Sequence, residues 1–107
     1  MIMIQHKNFE AFEKKAGISF NNKNLLVQAF THRSYLNENR RLKLSHNERL
    51  EFLGDAVLEL ATTHFLFHKF PEHTEGELTA FRSALVNTSS LASVAGALDV
   101  NDFLLLS

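Results

Sequence analysis

Three carboxylates stand at spacings of three and four residues in a segment whose pattern predicts a helix. They are Glu48, Glu51 and Asp55, all within the stretch from Asn47 to Leu58. Side chains at these spacings share one stripe of a helix surface, where like charges repel one another. A divalent cation such as Mg²⁺ would offset that repulsion and prefers carboxylate oxygens as ligands. The stripe is therefore a candidate metal site.

The competing interpretation is an acidic face in contact with solvent. Glu48 and Glu51 fall in the first turns of the predicted helix, where acidic side chains interact favourably with the helix dipole. Gly54 inside the helix costs about 1 kcal/mol relative to alanine. That cost is tolerable where another backbone approaches closely, as at a helix crossing. Spacing alone leaves both interpretations open.

Length and composition bound the class of protein. With 107 residues the chain forms one domain at most. Its formal net charge of −1 argues against binding nucleic acid through bulk positive charge, so such binding would need local Lys/Arg clusters or metal ions. The absence of cysteine excludes disulfides and thiolate metal sites. No apolar run reaches the roughly 20 residues of a membrane span, and no signal peptide is evident, so we expect a soluble cytoplasmic protein without membrane contact.

Helical periodicity runs along nearly the whole chain, and strand signals are weak, which predicts an all-α fold. A first helix is predicted from Phe9 to Ala16, closed by Gly17. Leu25 to Phe30 predicts a second helix. The polar and basic stretch from Asn37 to Lys43 indicates a loop or short turn.

The main helix is predicted to begin at a capping box formed by Ser45 to Glu48 and to run to about Phe70, before Pro71. Such a helix is roughly 35 Å long, enough to cross the centre of a domain this size. Thr74 to Glu77 forms a second capping box, and Asn87 to Ser90 caps a further helix.

The main helix has an apolar face opposite its acidic stripe. Phe52 departs from this division, because it falls only about 40° from Glu48 on the helical wheel. We expect Phe52 to be buried by a second copy of the chain or by another element that crosses the acidic face. The residues of the apolar face are Leu50, Leu53, Val57, Leu60 and Ala61.

The remaining patterns are weaker. The apolar ending from Phe103 to Ser107 indicates either a chain cut inside a larger domain or a tail that docks in the core. His64 and His68 have a spacing that suits zinc, but they lie on the apolar side and no Glu follows His64. His32 with Ser34 suits either phosphate contact or helix capping. No glycine-rich phosphate loop is present, so we expect no nucleotide cofactor.

The stretch from Glu48 to Leu58 resembles the signature of the ribonuclease III endonuclease domain. Further segments agree with that family in order and spacing, so the resemblance covers nearly the whole chain from about Phe9 onward. These segments are Leu25 to Tyr35, Glu75 to Thr79, Arg82 to Asn87 and Leu91 to Ala95.

The resemblance implies an all-α endonuclease-domain helical bundle that forms a symmetric homodimer. The pair builds a valley for double-stranded RNA, with Mg²⁺ on four carboxylates in each cleavage centre and Mn²⁺ as a substitute. A metal-activated water then cleaves the phosphodiester and leaves a 5′-phosphate and a 3′-hydroxyl. Such enzymes process ribosomal and messenger RNA in the cytoplasm.

Carried over by motif, the site residues form three groups. Glu51 and Asp55 match the first two metal-site carboxylates and are the expected catalytic residues. Phe52 and Leu53 are expected at the dimer interface. The residues expected to line the RNA valley are Glu48, Glu75, His32 and Ser34.

The family's other two metal-site carboxylates would follow Ser107, as would its double-stranded-RNA-binding domain. We therefore expect residues 1–107 to be a partial endonuclease domain, truncated before the last helices, that by itself binds Mg²⁺ weakly and does not cleave. The alternative is a non-catalytic module for RNA binding or dimerisation, although the intact Glu51 and Asp55 favour descent from an active enzyme. An unrelated helical metal-binding domain would need every segment match to be a coincidence.

Overall fold

The computed structural model describes residues 7–107, and these residues form helices joined by short connections. Within this range no extended strand forms, which confirms the predicted all-α class. The longest helix, α4, has 22 residues and makes the molecule elongated, with extents of 57 × 26 × 24 Å. The helices are α1 (Phe9–Ala16), α2 (Lys23–Ala29), α3 (Arg33–Glu38), α4 (Glu48–Lys69), α5 (Glu75–Leu85) and α6 (Thr88–Ala97), followed by a 3₁₀ turn (Val100–Asp102).

Most helix ends lie where local sequence predicts them. Gly17 ends α1 with φ of 72°, a left-handed conformation that glycine adopts without a Cβ clash. Thr74 and Glu77 form the predicted capping box of α5. Asn87 caps α6. Helix α4 ends before Pro71, as predicted.

The predicted capping box at the start of α4 is wrong. The N-cap of α4 is Asn47, whose side chain makes no cap hydrogen bond; its amide nitrogen donates to the carbonyl oxygen of Ala29 at 2.9 Å. The carboxylate of Glu48 is held by Arg33 and so does not fold back on Ser45. Contacts with α2 and α3 thus override the local capping pattern.

The segment from Leu25 to Tyr35 contains the end of α2 and the start of a further short helix, α3. Helix α2 ends at Ala29, and His32 then caps α3, which extends to Glu38. The predicted loop therefore begins at Asn39, two residues later than the pattern from Asn37 indicates.

A cluster of phenylalanine rings forms the core at one end of the molecule. Phe12, Leu26 and Phe30 are buried there, and the rings of Phe12 and Phe30 meet edge to face at 4.8 Å between centroids. Phe103 joins the cluster at 5.5 Å from Phe12, and Leu105 is buried beside it. The apolar tail therefore docks in the core.

The backbone around Thr31 connects three parts of the chain. Thr31 is completely buried, and its carbonyl oxygen accepts the N–H of Asn47 at 2.9 Å, just before α4. On either side, Leu105 donates its N–H to Phe30 at 2.8 Å and accepts the N–H of His32 at 3.0 Å. We call these residues, 30–32 with 47 and 105, the Thr31 junction. The junction fixes the start of α4 relative to the core and the tail.

Helix α4 is little buried by the other described residues. Its apolar face is exposed, with Leu60 at 70 %, because no other described helix packs against it. Only Leu66 is buried on α4, and it faces α5. The close approach expected at Gly54 is also missing, since nothing in residues 7–107 lies within 4 Å of a Cβ placed there. None of the helices in residues 7–107 is long and apolar enough to span a bilayer.

The buried carboxylate of Glu13 fastens the connection between α1 and α2. It accepts the backbone N–H of Phe20 at 2.6 Å and an ammonium hydrogen of Lys23 at 2.8 Å. The hydrogen bond from Lys23 and then that from Phe20 lower the pKa of Glu13, and they outweigh the desolvation that raises it. The charged form of Glu13 is therefore favoured in the folded chain.

We predict that Glu13→Gln makes stability less dependent on acidic pH. A lowered pKa means that the carboxylate stabilises the fold above its unfolded pKa, near 4.5, and that this contribution is lost as pH falls further. Urea denaturation between pH 6 and pH 3 should show a smaller loss for Glu13→Gln than for the wild type. Some loss remains, because the pKa of Glu77 is also lowered, by its hydrogen bonds to Thr74 and His73. Equal losses would contradict the role of Glu13.

Candidate functional site

Glu51 and Asp55 form an open pair of carboxylates on α4. Both side chains are exposed, and they lie four residues apart on successive turns of one stripe. Within residues 7–107 neither carboxylate joins an ion pair or accepts a side-chain hydrogen bond. Two unpaired negative charges thus face outward at neighbouring positions, as the sequence predicts.

Glu48, the third acid of the stripe, is paired. Arg33 on α3 donates its Nε to one carboxylate oxygen at 2.7 Å and its Nη2 to the other at 2.8 Å. This bidentate geometry is the strongest arrangement of an arginine and a carboxylate. Glu48 therefore connects α3 to the first turn of α4, and its charge is offset.

A second arginine pairs with Glu59, which lies four residues beyond Asp55 and so extends the same stripe by one turn. Arg82 on α5 lies 3.7 Å from the carboxylate of Glu59 and donates a hydrogen bond to the hydroxyl of Thr63 at 2.9 Å. The open pair, Glu51 and Asp55, therefore lies between two glutamates that arginines neutralise. Repulsion along the stripe is confined to the open pair.

Glu75 lies apart from the open pair. It begins α5 and lines a groove of about 450 Å³ together with Thr63, Phe67 and His73. Thr63 is eight residues beyond Asp55, which is about 12 Å along the helix axis. The structure therefore does not bring Glu75 to the carboxylates of Glu51 and Asp55. Its expected place at an RNA valley stays a prediction.

His32 and Ser34 perform capping roles in the described residues. The Nδ1 atom of His32 accepts the backbone N–H of Ser34 at 3.1 Å and so caps α3. The hydroxyl of Ser34 accepts the N–H of Ser107 at 3.1 Å and holds the end of the tail. The capping alternative is thus realised, whereas contact of these two residues with RNA stays a prediction.

The carboxylate oxygens of Glu51 and Asp55 suit a hard divalent cation, but they provide few ligands. Among residues 7–107 no group of three or more His, Asp or Glu side chains is placed to hold one ion. Mg²⁺ is often held by one or two carboxylates, with water and substrate phosphates completing the shell, so Glu51 and Asp55 fit it. The rings of His64 and His68 lie 4.4 Å apart without a third such ligand in the same range, which does not suit structural zinc.

The apolar edge of α4 consists of Phe52, which lies near the open pair around the helix, and Leu53, which belongs to the apolar face on the other side. Phe52 is 82 % exposed and Leu53 is also exposed, so neither is covered by the chain's own described residues. This matches the prediction that Phe52 is not buried by the core of its own chain. A phenylalanine side chain with so large an exposed fraction is unusual on a protein surface and is a candidate contact for a partner.

Sequence reasoning missed the two arginines that shape the site. Arg33 and Arg82 are separated from their partners by 15 and 23 residues, Glu48 and Glu59 respectively. No periodicity links residues so far apart on different helices. The only available signal was the presence of cations within the segments that resemble the family.

The chain matches known proteins along most of its length. The family described as ribonuclease-III-like matches residues 22–107. Ribonuclease 3 of Geobacillus thermodenitrificans is 54 % identical over 98 residues, which cover 92 % of this chain and 40 % of that protein. Ribonuclease 3 of Anoxybacillus flavithermus is 53 % identical over 98 residues, with 92 % and 41 % covered. This chain thus spans about two fifths of the length of these curated relatives.

Solved structures show the same helical architecture. Two solved structures of the nuclease domain of ribonuclease III from Campylobacter jejuni superpose with TM-scores of 0.82 and 0.80, at 47 % and 48 % identity. Each match covers 94 % of this chain, and 66 % and 65 % of the respective solved chain. The first of these structures is described as showing flexibility in a region involved in dimer formation.

We predict that the contact between Arg33 and Glu48 stabilises the fold by about 0.2–1 kcal/mol, the usual range for exposed pairs. A double-mutant cycle with Arg33→Gln, Glu48→Gln and the double variant isolates the coupling energy in urea denaturation. Arg82→Gln with Glu48→Gln is the matched control, because these residues are not partners and should show no coupling. A coupling energy of zero for Arg33 and Glu48 would contradict the contact.

Proposed function

Because this chain belongs to the ribonuclease III family, we propose that it carries the nuclease part of an endoribonuclease that hydrolyses double-stranded RNA. The observation that carries this proposal is the open pair, Glu51 and Asp55. These carboxylates stand at the signature positions, exposed and unpaired within residues 7–107. The neighbouring Glu48 and Glu59 are instead paired with arginines.

We assign Glu51 and Asp55 to binding Mg²⁺, with Mn²⁺ as a substitute. When bound, such an ion activates water and stabilises the charge that develops on the phosphate. The chain's own contribution is to present two oxygen ligands on one rigid helix and to neutralise the acids on either side. Because Arg33 and Arg82 offset Glu48 and Glu59, a cation is attracted to the open pair rather than along the whole stripe.

The substrate we propose is duplex RNA recognised by shape. The A-form major groove is too narrow for side chains, so contacts fall on phosphates and 2′-hydroxyl groups. We expect the products to carry 5′-phosphate and 3′-hydroxyl ends, and the substrates to be precursors of ribosomal and messenger RNA in the cytoplasm. The relatives named ribonuclease 3 support this assignment.

We further propose a symmetric homodimer with Phe52 and Leu53 at its interface. Both side chains are exposed, Phe52 near the open pair and Leu53 on the apolar face, so a second copy packed against this part of α4 would cover them. The dimer-forming region described for the nuclease domain of Campylobacter jejuni supports this arrangement.

The alternative is a non-catalytic module that uses the same helices for RNA binding or dimerisation. In such a module the acids of α4 would serve structure, as Glu48 does through its contact with Arg33. The lack of any described partner for Glu51 and Asp55 favours the catalytic assignment, because unpaired neighbouring carboxylates only add repulsion to a fold.

We predict that the 107 residues bind Mn²⁺ weakly through the open pair and do not cleave duplex RNA by themselves, because they present only two metal-site carboxylates. Paramagnetic broadening of amide signals should centre on Glu51 and Asp55. Glu51→Gln with Asp55→Asn should lower Mn²⁺ affinity by about tenfold or more, since Mn²⁺ and Mg²⁺ prefer charged oxygen ligands. Glu59→Gln is the control and should have little effect, because Arg82 already offsets that carboxylate.

Two results would contradict the predicted metal binding or the predicted inactivity of residues 1–107. Unchanged Mn²⁺ affinity in the double variant would contradict the metal assignment and with it the catalytic role. Cleavage of duplex RNA in Mg²⁺ that disappears in Asp55→Asn would show that residues 1–107 suffice for activity. In that case the expected inactivity is wrong, while the assignment of Asp55 stands.

We predict that the chain forms dimers and that Phe52→Ala shifts them toward monomers. Truncation of a central aromatic anchor costs about 2 kcal/mol, which raises the dissociation constant about 30-fold. Sedimentation equilibrium over a concentration series measures this shift. Phe67→Ala is the matched control, because Phe67 is also exposed but borders the groove between α4 and α5. A chain that stays monomeric throughout, or an equal shift in both variants, would contradict the proposed interface.

A further inference from the structure

Positive charge is concentrated just before the acidic stripe. Between residues 33 and 49 the chain carries five Lys or Arg against two Glu, although its formal net charge is −1. The remainder of the chain is correspondingly acidic. A local cation cluster of this kind is what a nearly neutral chain needs to bind a polyanion.

Most of these cations have no acidic partner. Arg33 is paired with Glu48, but the other four are exposed and join no ion pair within residues 7–107. Three of them lie in the connection between α3 and α4, which we call the basic loop, and one lies in the first turn of α4. They are Arg40, Arg41 and Lys43 in the loop and Arg49 on the helix.

The basic loop is anchored at both ends. Asn39 donates its side-chain amide to the carbonyl oxygen of Tyr35 at 2.8 Å, and Leu42 donates its N–H to Asn39 at 3.0 Å. At the other end, Gln28 donates to the carbonyl oxygen of His46 at 3.2 Å, and Asn47 is bound to the Thr31 junction. The cations are therefore held near the start of α4 and do not sit on a free tail.

A hollow connects Arg49 with the apolar edge. Arg49 and Arg33 line it together with His46, Glu48 and Phe52, and its volume is about 800 Å³. Arg49 lies two residues before Glu51 and six before Asp55, which is about 3 and 9 Å along the helix axis. Around the helix axis Arg49 is rotated by about 160° from Glu51 and by about 120° from Asp55, so Arg49 and the basic loop mark the start of α4 rather than the open pair itself.

We propose that Arg41, Lys43 and Arg49 bind phosphates of the RNA strand whose neighbouring nucleotides reach Glu51 and Asp55. This inference rests on the proposed function, and it names the residues that hold the substrate. An acidic stripe repels an RNA backbone, so binding there requires attraction from a group close by. The basic loop supplies that attraction at one end of the stripe, because phosphate contacts provide most of the sequence-independent affinity for nucleic acids.

The test compares two variants that each remove two positive charges. Binding of a fluorescein-labelled 20-base-pair RNA duplex is measured by anisotropy in EDTA over a range of salt concentrations. For Arg41→Gln with Lys43→Gln, the slope of log affinity against log salt should fall by about 1.8, since each lost phosphate contact removes about 0.9. Lys14→Gln with Lys69→Gln is the matched control and should keep the wild-type slope, because both lysines are exposed but lie outside the loop.

A second measurement needs no variant. Acetylation of lysines in the wild-type chain, followed by mass spectrometry, should become slower at Lys43 when the duplex is added. The rate at Lys14 should not change. This footprint remains informative even if a variant folds poorly.

The possible outcomes distinguish a failure of the basic-loop assignment from a failure of the proposed function. If the wild type binds the duplex but the loop variant keeps its slope, or the control loses as much, the role of the basic loop is refuted and the proposed function stands. If the wild type does not bind the duplex even at low salt, RNA binding by this chain is refuted and the loop assignment with it. Equal binding of polyglutamate and RNA would point to an acidic protein partner and would also refute the assignment.

Discussion

The site depends on the backbone hydrogen bonds of the Thr31 junction. Thr31 is completely buried, so the bond between its carbonyl oxygen and Asn47 is shielded from water and electrostatically stronger than an exposed one. The bonds of Phe30 and His32 with Leu105 bring the tail to the same point. One buried residue thus sets where α4 begins. The direction in which the acidic stripe faces follows from that start, because α4 continues from it as one rigid helix.

Pairing of charges turns a row of acids into a localised site. Arg33 on α3 offsets Glu48 at one end of the stripe, and Arg82 on α5 offsets Glu59 at the other end. The two carboxylates between them, Glu51 and Asp55, keep their charge facing solvent. An unselective acidic surface would spread its attraction for cations over four positions, whereas this arrangement concentrates it on two.

The surface around α4 contains three different environments close together. The open pair attracts cations, the apolar edge with Phe52 favours contact with another protein surface, and the basic loop attracts anions. The function proposed above would use each of these environments. Helix α4 is little buried against the other described residues, with Leu66 as its single buried residue.

The features that depend on near neighbours along the chain could be predicted from the sequence. The end of α1 at Gly17, the capping box at Thr74, the cap at Asn87 and the stop of α4 before Pro71 all follow from interactions within about four residues. The position of Glu51 and Asp55 on one exposed stripe follows from the same helical geometry. The resemblance to the family likewise rests on short continuous segments of the sequence.

The features that depend on contacts between helices could not be predicted from the sequence and are seen only in the folded chain. The capping box predicted at Ser45 fails because Arg33, on another helix, takes the carboxylate of Glu48. The apolar face of α4 is exposed because the described residues form their core around Phe12 and Phe30 instead. Periodicity shows which side chains share a face, but it does not show which element packs there. Ion pairs and burial arise between segments that are far apart in sequence. Local sequence patterns do not show which of these segments contact one another in the folded chain.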